Sequence, residues 1–426
     1  MTIARMSRPA RRSRLPGRCP GGWHRAILCA AWPVVGLLLA VPLASASGLL
    51  TPGVGAADLA ISGSNVARPL SASQAQFINP AGLAGFTEHA VYGGPGIVFA
   101  RGELNAEIPE GYDKSNNMVV LLPDLGLVYP TGRWTFGWSV HGSSGSEFEY
   151  GAEPELGIED GFYSSNAILG APAGAAYRVN DHWWLGAEII PLYASTKLRY
   201  TNPYVPELGA GPVPYRFEVD GLGLQASFGV TWMPDERWSL GFGFRPPGRI
   251  WTDGFMRLPS GSKQDVTLEI EAPSETAFGI TCRVTKRLTL SYGFRWVDAN
   301  VFGDAYFRFE KTPSADSPYL PDAQDEWRTS LGAQYTLTEQ WELRSGMGFG
   351  SAIVGNKGVN PMSYDVQDLT FSGGFGYSSG PWTFDAAVNA MVGAERDVPI
   401  EDALVIPGEY TTHPALFFAL TITRRL

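Results

Sequence analysis

Alternation of apolar and small polar residues, broken by short polar turns, is the feature that most limits how this chain can fold. In residues 222–232 apolar side chains alternate with glycine, glutamine, serine and threonine, and after a turn the same period resumes at Trp238. A second copy runs through residues 278–296. A period of two is typical of a β-strand whose two faces meet different surroundings. The pattern therefore predicts an all-β chain of antiparallel strands joined in hairpins.

Six tight turns of this kind occur about every fifty residues, and each is followed by a strand that opens on a large apolar residue. These opening residues are Trp134, Trp183, Trp238, Leu288, Trp341 and Trp382. Short turns on one side, long loops on the other and an aromatic girdle are typical of outer-membrane barrels. If both ends of the barrel lie on the short-turn side, six short turns separate seven long-loop hairpins. This arrangement predicts a transmembrane antiparallel β-barrel of about 14 strands.

The composition agrees with a barrel and excludes other classes. Of the 426 residues, 17% are charged and 12% are aromatic, whereas disordered chains are highly charged and poor in aromatic residues. A mean hydropathy of -0.05 argues against a bundle of membrane helices, which needs several apolar runs of about 20 residues. A soluble propeller or sandwich is the alternative. The polar face here is rich in Gly, Ser, Thr and Gln rather than Lys and Glu, which favours the barrel.

Residues 1–46 are predicted to be a signal peptide that is cleaved before Ser47. The first 25 residues hold seven arginines and no acid, and an apolar stretch at residues 26–43 precedes small residues. An uncleaved membrane anchor is the alternative. Without those arginines, the chain has 25 Lys and Arg against 42 Asp and Glu, so its net charge changes from -10 to about -17. Such an acidic surface is unsuited to binding nucleic acid. Cys19 and Cys29 leave with the signal and Cys282 stands alone, so no disulfide, metal or cofactor is expected.

Residues 47–86 differ from the rest because no period of two is sustained there. About forty small, polar and turn-forming residues ahead of a barrel suggest a plug in its lumen, with the barrel itself over residues 87–426. The segment contains Asn79-Pro80-Ala81-Gly82-Leu83-Ala84. This hexapeptide, its place after a small-residue segment and the size of the barrel resemble the FadL family of outer-membrane transporters for hydrophobic compounds.

The resemblance implies a monomer in the bacterial outer membrane that transports long-chain fatty acids or aromatic or aliphatic hydrocarbons. It implies a hatch with Asn79, Pro80 and Ala81 as its motif, capture among extracellular loops, a lumenal pocket and sideways exit at the third strand. The expected partners are the ligand, outer-membrane lipid and the barrel-assembly machinery. Many such barrels end in an aromatic residue, whereas this chain ends Arg424-Arg425-Leu426, with Arg424 on the apolar face where it can snorkel to the interface.

Two predicted long loops, residues 202–215 and 248–258, are rich in apolar side chains and follow the fifth and seventh strands, as the capturing loops of the family do. The candidate ligand-binding residues are Tyr204, Val205, Leu208, Tyr215, Ile250, Trp251, Phe255, Met256 and Leu258. Burial there contributes roughly 0.8 kcal/mol per CH2 group of a ligand. The alternative is that these side chains only pack the loops against one another.

The third strand begins at Trp134 and runs into a stretch of glycine and serine. Gly142 and Gly145 are the candidates for a kink that opens the wall for lateral exit. The alternative is that residues 142–146 begin the second long loop.

Charged residues are also expected on the lumenal face. They are Arg178, Arg245, Arg283, Arg295, Arg328 and Arg344, with Glu188, Glu342 and Asp385. Most should pair with one another or with the plug, because buried charges need partners, although one arginine is free in principle to bind a ligand carboxylate.

The sequence is also compatible with three other functions. A porin for small solutes would lack a plug, and a barrel enzyme would need a nucleophile, a base and an orienting group. No catalytic residues are assigned, because the exported chain has four histidines and no Gly-x-Ser-x-Gly or His-Glu-x-x-His motif. An adhesive barrel is a third possibility, suggested by the acidic run through residues 147–160.

Overall fold

The period-two segments form fourteen strands that pair in chain order. The computed structural model describes residues 51–202, 213–257, 262–310, 317–363, 365–400 and 406–426. The strands are β1 (Ala90–Ala106), β2 (Asp113–Thr131), β3 (Trp134–Tyr150), β4 (Phe162–Gly170 and Ala173–Arg178), β5 (Trp183–Asn202), β6 (Val213–Trp232), β7 (Trp238–Arg245 and Gly248–Arg257), β8 (Lys263–Ala272 and Glu275–Arg283), β9 (Leu288–Val297), β10 (Glu326–Thr336), β11 (Trp341–Gly350), β12 (Asp368–Ser379), β13 (Trp382–Gly393) and β14 (Gly408–Arg425).

The barrel is closed by antiparallel pairing of its first and last strands. β1 pairs with β14 from Ala90 opposite Arg425 to Ala106 opposite Gly408. Further short strands, Tyr306–Phe309, Ser317–Pro318 and Arg396–Val398, lie within the long connections. The six residues predicted to open strands after short turns do so, and both ends of the barrel lie on the short-turn side. The prediction of a closed antiparallel barrel of 14 strands is confirmed.

The two faces of the wall are reversed relative to a soluble protein. On β6, Leu222 is 68% exposed and Phe228 is 51% exposed, whereas Ser227 and Thr231 are buried. The girdle tryptophans also face outward, and the guanidinium of Arg424 lies 5.3 Å from the ring centroid of Trp382. Apolar side chains outside and small polar ones inside are what a strand needs between lipid and a polar lumen.

Proline interrupts three strands and explains one wrong prediction. Breaks occur at residues 171–172 in β4, 246–247 in β7 and 273–274 in β8, because proline has no N–H to donate to the next strand. Residues 248–258 were expected to be a long loop, but Gly248–Arg257 is the second part of β7 and pairs with β6 and β8. The prolines at 246 and 247 interrupt β7, and the strand resumes directly after them.

Residues 51–86, called the N-terminal segment here, contain α1 (Ala56–Leu59), α2 (Ala72–Ile78) and the 3-10 helix Pro80–Gly85. Its hydrogen bonds reach strands on opposite sides of the barrel. The Ala56 N–H donates to Thr421 Oγ1 on β14 (3.0 Å), Ser64 Oγ lies 2.6 Å from Ser291 Oγ on β9, and Ser73 donates to Asp124 on β2. The wall therefore surrounds this segment.

The space above the N-terminal segment, towards the long loops, holds the largest apolar cluster of the described residues. Phe162, Phe217, Val219 and Leu268 are buried there, on the inward faces of β4, β6 and β8. No helix among the described residues is both long and apolar enough to cross a bilayer.

Candidate functional site

The Asn79-Pro80-Ala81 motif fixes the N-terminal segment to itself and to the wall. Asn79 Nδ2 donates to the Val66 carbonyl (2.8 Å) and to Thr231 Oγ1 on β6 (3.1 Å), and Asn79 Oδ1 accepts from the Ala81 N–H (3.2 Å). Pro80 occupies the first turn of the 3-10 helix, where its lack of an N–H costs nothing. The motif thus satisfies buried donors and acceptors that would otherwise be unpaired.

Two glycines of the wall allow the motif to approach this closely. A Cβ atom on Gly229 of β6 would collide with the side chain of Asn79, and one on Gly186 of β5 would collide with the backbone of Pro80 and Ala81. The two glycines are directly opposite each other in the β5–β6 ladder. The wall and the motif are therefore matched in shape.

Two arginines and one glutamate of the wall form an ion-paired cluster at the end of α2. Arg245 Nη1 and Arg295 Nε lie 3.1 and 2.8 Å from the two carboxylate oxygens of Glu275, and their guanidinium carbons lie 5.5 and 4.9 Å from the ring centroid of Phe77. Arg245 also donates to the Phe77 carbonyl, and Arg295 donates to the Thr51 carbonyl (3.1 Å). Both arginines are thus committed to the N-terminal segment.

The other lumenal arginines expected from the sequence are also mostly engaged. Arg328 pairs with Asp368 (2.6 Å), and Arg344 pairs with Asp385 (2.5 Å) and Glu342 (2.7 Å). Separately, Arg178 donates to the Ala84 carbonyl, Arg283 borders a polar cavity beside the short turns, and Glu188 is buried on β5. The expectation that most of these charges pair with one another or with the N-terminal segment is confirmed.

Within the N-terminal segment, Asp58 joins α1 to the start of α2. Its carboxylate accepts from the N–H groups of Leu70 (3.0 Å) and Ser71 (2.8 Å) and from the Ser71 hydroxyl (2.8 Å). Burial raises the pKa of Asp58 to about 7, against the lowering effect of these hydrogen bonds.

An apolar cavity of about 210 Å³ lies between the wall and the long loops. Apolar side chains from β4, β5, β6, β8 and the loops between β9 and β10 line most of it: Ile168, Leu198, Phe217, Ile270, Phe302 and Leu320. No Lys, Arg, Asp or Glu is among the described residues that line it. The sequence did not single out this cavity, because its residues come from parts of the chain that are far apart.

The wall beside this cavity is irregular. β2 and β3 pair through the backbone only from Asp124 opposite His141 to Thr131 opposite Trp134. Nearer the loops, the contacts between the described parts of these strands involve side chains: the Glu149 N–H donates to Asn116 Oδ1 (2.9 Å), and the Glu147 N–H points to Met118 Sδ (3.2 Å). Residues 119–123 and 142–146, between which no backbone pairing is found, are called the β2–β3 window.

Gly142 and Gly145 lie at this window. The β3–β4 register shifts between Gly142 and Ser144, and Gly145 borders the apolar cavity. β3 continues to Tyr150, so these glycines are within the strand and do not begin a loop. The irregularity that the sequence led us to expect in β3 is therefore present.

The expected ligand-capturing residues fall into three groups. Tyr204, Val205, Leu208, Leu258 and the side chain of Tyr215 lie outside the described residues. Ile250 and Met256 are buried and belong to the apolar cluster around the cavity. Trp251 is 54% exposed on the outward face of β7, and Phe255 packs against Lys263, with Nζ 3.8 Å from the ring centroid. Their placement in a loop was wrong, since all four lie in a strand.

Two of the histidines, His141 and His182, lie in close contacts with their neighbours. His141 and Ser139 approach each other, with Nδ1 and Oγ 3.4 Å apart, but both are at most 2% exposed and the His141 ring packs edge-on against Phe77. His182 Nδ1 lies 2.7 Å from the Met233 carbonyl within a turn. In the part of the chain that the structure describes, no group of His, Cys, Asp or Glu is arranged to hold a metal ion.

Comparisons with known proteins agree with this geometry. The fold is similar to that of a Pseudomonas aeruginosa FadL homologue (TM-score 0.76, 19% identity, covering 89% of this chain and 100% of that chain) and of the Ralstonia pickettii toluene transporter TbuX (0.70, 18%, 88% and 99%). The P. putida toluene transporter TodX is similar to the same degree (0.70, 17%, 88% and 99%). No curated protein gives a significant match.

A match to a family model adds evidence beyond the shared fold. The model of the outer membrane protein transport proteins, OMPP1/FadL/TodX, matches residues 37–425. That match and the β-barrel fold indicate the bacterial outer membrane as the location. Because the match covers nearly the whole chain, this protein belongs to the OMPP1/FadL/TodX family of outer membrane transport proteins.

Proposed function

We propose that this protein carries small, uncharged hydrophobic compounds across the outer membrane and holds them in the apolar cavity. The observation that carries the proposal is the cavity itself, with about 210 Å³ of space, mainly apolar walls and no charged side chain among its described lining residues. An apolar protein cavity of about 150 Å³ can hold benzene. The cavity thus has room for one substituted aromatic ring.

The lumenal charges favour an uncharged ligand over a fatty acid. A carboxylate removed from water needs a cationic partner or several hydrogen bonds. Arg245, Arg295, Arg328 and Arg344 are already paired with carboxylates, and none of them lines the cavity. Two of the similar structures are described as toluene transporters, which fits a hydrocarbon better than an anion.

The proposed route enters from the loops and leaves sideways. First contact is proposed at Tyr204, Val205 and Leu208, which lie between β5 and β6 in the sequence, and at Tyr215 near the start of β6. The N-terminal segment is proposed to act as the plug that prevents straight passage. The ligand then leaves through the β2–β3 window beside Gly142 and Gly145. Two observations support this exit: the cavity borders Gly145, and backbone pairing between β2 and β3 stops at His141.

Filling the cavity tests the proposal. Ala194 of β5 is 2% exposed and lines the cavity, so Ala194→Phe is expected to reduce uptake of labelled toluene by cells at least about tenfold while the barrel still folds. Ala173→Phe is the matched control, because Ala173 is exposed on the outward face of β4. Equal toluene uptake by the two variants would show that the cavity is not on the transport path.

A further inference from the structure

One end of the apolar cavity carries a row of uncharged polar side chains. Ser146 on β3 stands opposite Asn166 on β4, and Asn166 stands opposite Thr196 on β5. Ser164 lies two residues from Asn166 along β4, and all four residues line the cavity. Ser164, Ser146 and Thr196 are 0%, 7% and 4% exposed. Three of the four residues are therefore buried, Asn166 is partly buried, and the row lies next to the β2–β3 window.

The hydrogen bonds within this row leave donors unused. Asn166 Nδ2 donates to Ser164 Oγ (3.0 Å) and to Ser146 Oγ (3.4 Å), while Asn166 Oδ1 accepts from the Tyr319 hydroxyl (3.3 Å). The serine oxygens thus serve as acceptors, and each serine hydroxyl keeps its own proton to donate. No acceptor for those two protons is found among the described residues around them. A buried hydroxyl without an acceptor is costly, so the site is suited to a ligand that provides one.

The ligand that fits must also be neutral. The described lining residues include no cation to balance a carboxylate and no anion to balance an amine. Burying an unpaired charge costs far more than burying a hydroxyl or a carbonyl group that is hydrogen-bonded. The row of hydroxyls and one amide therefore matches a single uncharged oxygen on an otherwise apolar molecule.

We propose that the cavity recognises neutral amphiphiles, namely an aromatic ring or short apolar chain bearing one uncharged oxygen group such as a ketone, an alcohol or a phenol. The ligand oxygen accepts from the hydroxyls of Ser146 and Ser164, and its apolar part lies against Phe217 and Ile270 at the other side of the cavity. This inference rests on the proposed function, since it assigns the ligand class of the same cavity. A plain hydrocarbon in the cavity would leave the hydroxyls of Ser146 and Ser164 unpaired or paired with water.

Matched ligands and variants separate this inference from the proposed function. Binding of ethylbenzene, acetophenone and benzoate to the purified full chain in detergent is measured by isothermal titration calorimetry. Wild-type protein is expected to bind the first two, and benzoate at least about tenfold more weakly than acetophenone. Ser146→Ala/Ser164→Ala is expected to weaken acetophenone binding by about tenfold and to leave ethylbenzene binding within about twofold of wild type.

Ser165→Ala is the matched control, because Ser165 lies next to Ser164 in β4 but is not among the described residues that line the cavity. It should leave the ratio of the two affinities unchanged. If the double variant binds acetophenone as wild type does while ethylbenzene binding persists, the polar row is not a recognition site, and the proposed function stands without it. If wild type binds none of the three, both the inference and the cavity's role in transport are overturned.

Discussion

At the scale of single residues, the N-terminal segment depends on a few buried polar side chains that sequence periodicity does not mark. Asp58 gathers three donors from Leu70 and Ser71, and Asn79 gathers contacts from Val66, Ala81 and Thr231. The sequence drew attention to Asn79 through its motif. It gave no reason to choose Asp58, whose partners are 12 and 13 residues away in an irregular stretch.

Asp58 makes the free energy of unfolding depend on pH. Its pKa is raised from 3.8 to about 7 in the folded protein, so between pH 4 and 7 the folded state holds the proton more tightly than the unfolded state. The contribution of Asp58 to the free energy of unfolding therefore falls as pH rises through this range, by at most roughly 4 kcal/mol. Urea unfolding at pH 5 and pH 8 is expected to show a smaller difference in Asp58→Asn than in wild type.

Glu159→Gln, a change at an exposed loop residue, should keep the wild-type difference between pH 5 and pH 8. An Asp58→Asn variant with the same pH dependence as wild type would show that other groups are responsible.

A single methyl group on the wall should displace the Asn79 motif. In Gly229→Ala the new Cβ meets Asn79 Oδ1, which accepts from the Ala81 N–H, so the Asn79 side chain must shift and its hydrogen bonds must lengthen or break. We expect a loss of about 1–3 kcal/mol in unfolding free energy and faster hydrogen exchange across residues 56–85. Gly373→Ala is the control, since its Cβ would meet only the Arg344 carbonyl oxygen, at 3.9 Å. Equal exchange in the two variants would contradict the steric account.

At the scale of elements, the six strand starts that follow short turns were predictable to the residue, because each short turn is local in sequence. The arrangement of side chains inside the lumen was not predictable, because it depends on which residues of distant strands face each other. A signal was present all the same: on the inward face of β6, Ser227 and Thr231 give way towards the loops to Phe217 and Val219. A change from small polar to bulky apolar residues along one face marks where the lumen becomes an apolar cavity.

The β2–β3 window can be tested by closing it. A Cβ atom on Gly142 would lie 3.5 Å from Leu122 Cβ, which is a suitable distance for a disulfide. In a Cys282→Ser background, oxidised Leu122→Cys/Gly142→Cys is expected to lose most toluene uptake and to regain it on reduction. Gly93→Cys/Leu125→Cys is the control, with a Cβ distance of 3.3 Å in the continuous β1–β2 ladder.

Undiminished uptake by the oxidised window variant, with the disulfide verified by mass spectrometry, would exclude the window as the exit. Equal losses in both disulfide variants would instead indicate a general effect of cross-linking the wall.

At the scale of the whole molecule, the fold and the N-terminal segment together predict electrical behaviour. Residues 51–86 contact β2, β6, β9 and β14 from inside, so little continuous water-filled space is expected through the barrel. Single barrels in a planar bilayer should therefore give no large, steady ion current, and Gly229→Ala should give brief openings more often than wild type. A steady current of porin size in the wild type would contradict the proposed plug and favour a porin.

The attachment of the N-terminal segment to both ends of the sheet also bears on how the protein is made. The segment directly precedes β1, yet it hydrogen-bonds to Thr421 on β14, the strand that is synthesised last. This contact can form only after β14 has been synthesised. We expect the segment to complete its packing only when β1 and β14 pair, so that docking of the segment and closure of the barrel are coupled steps of assembly.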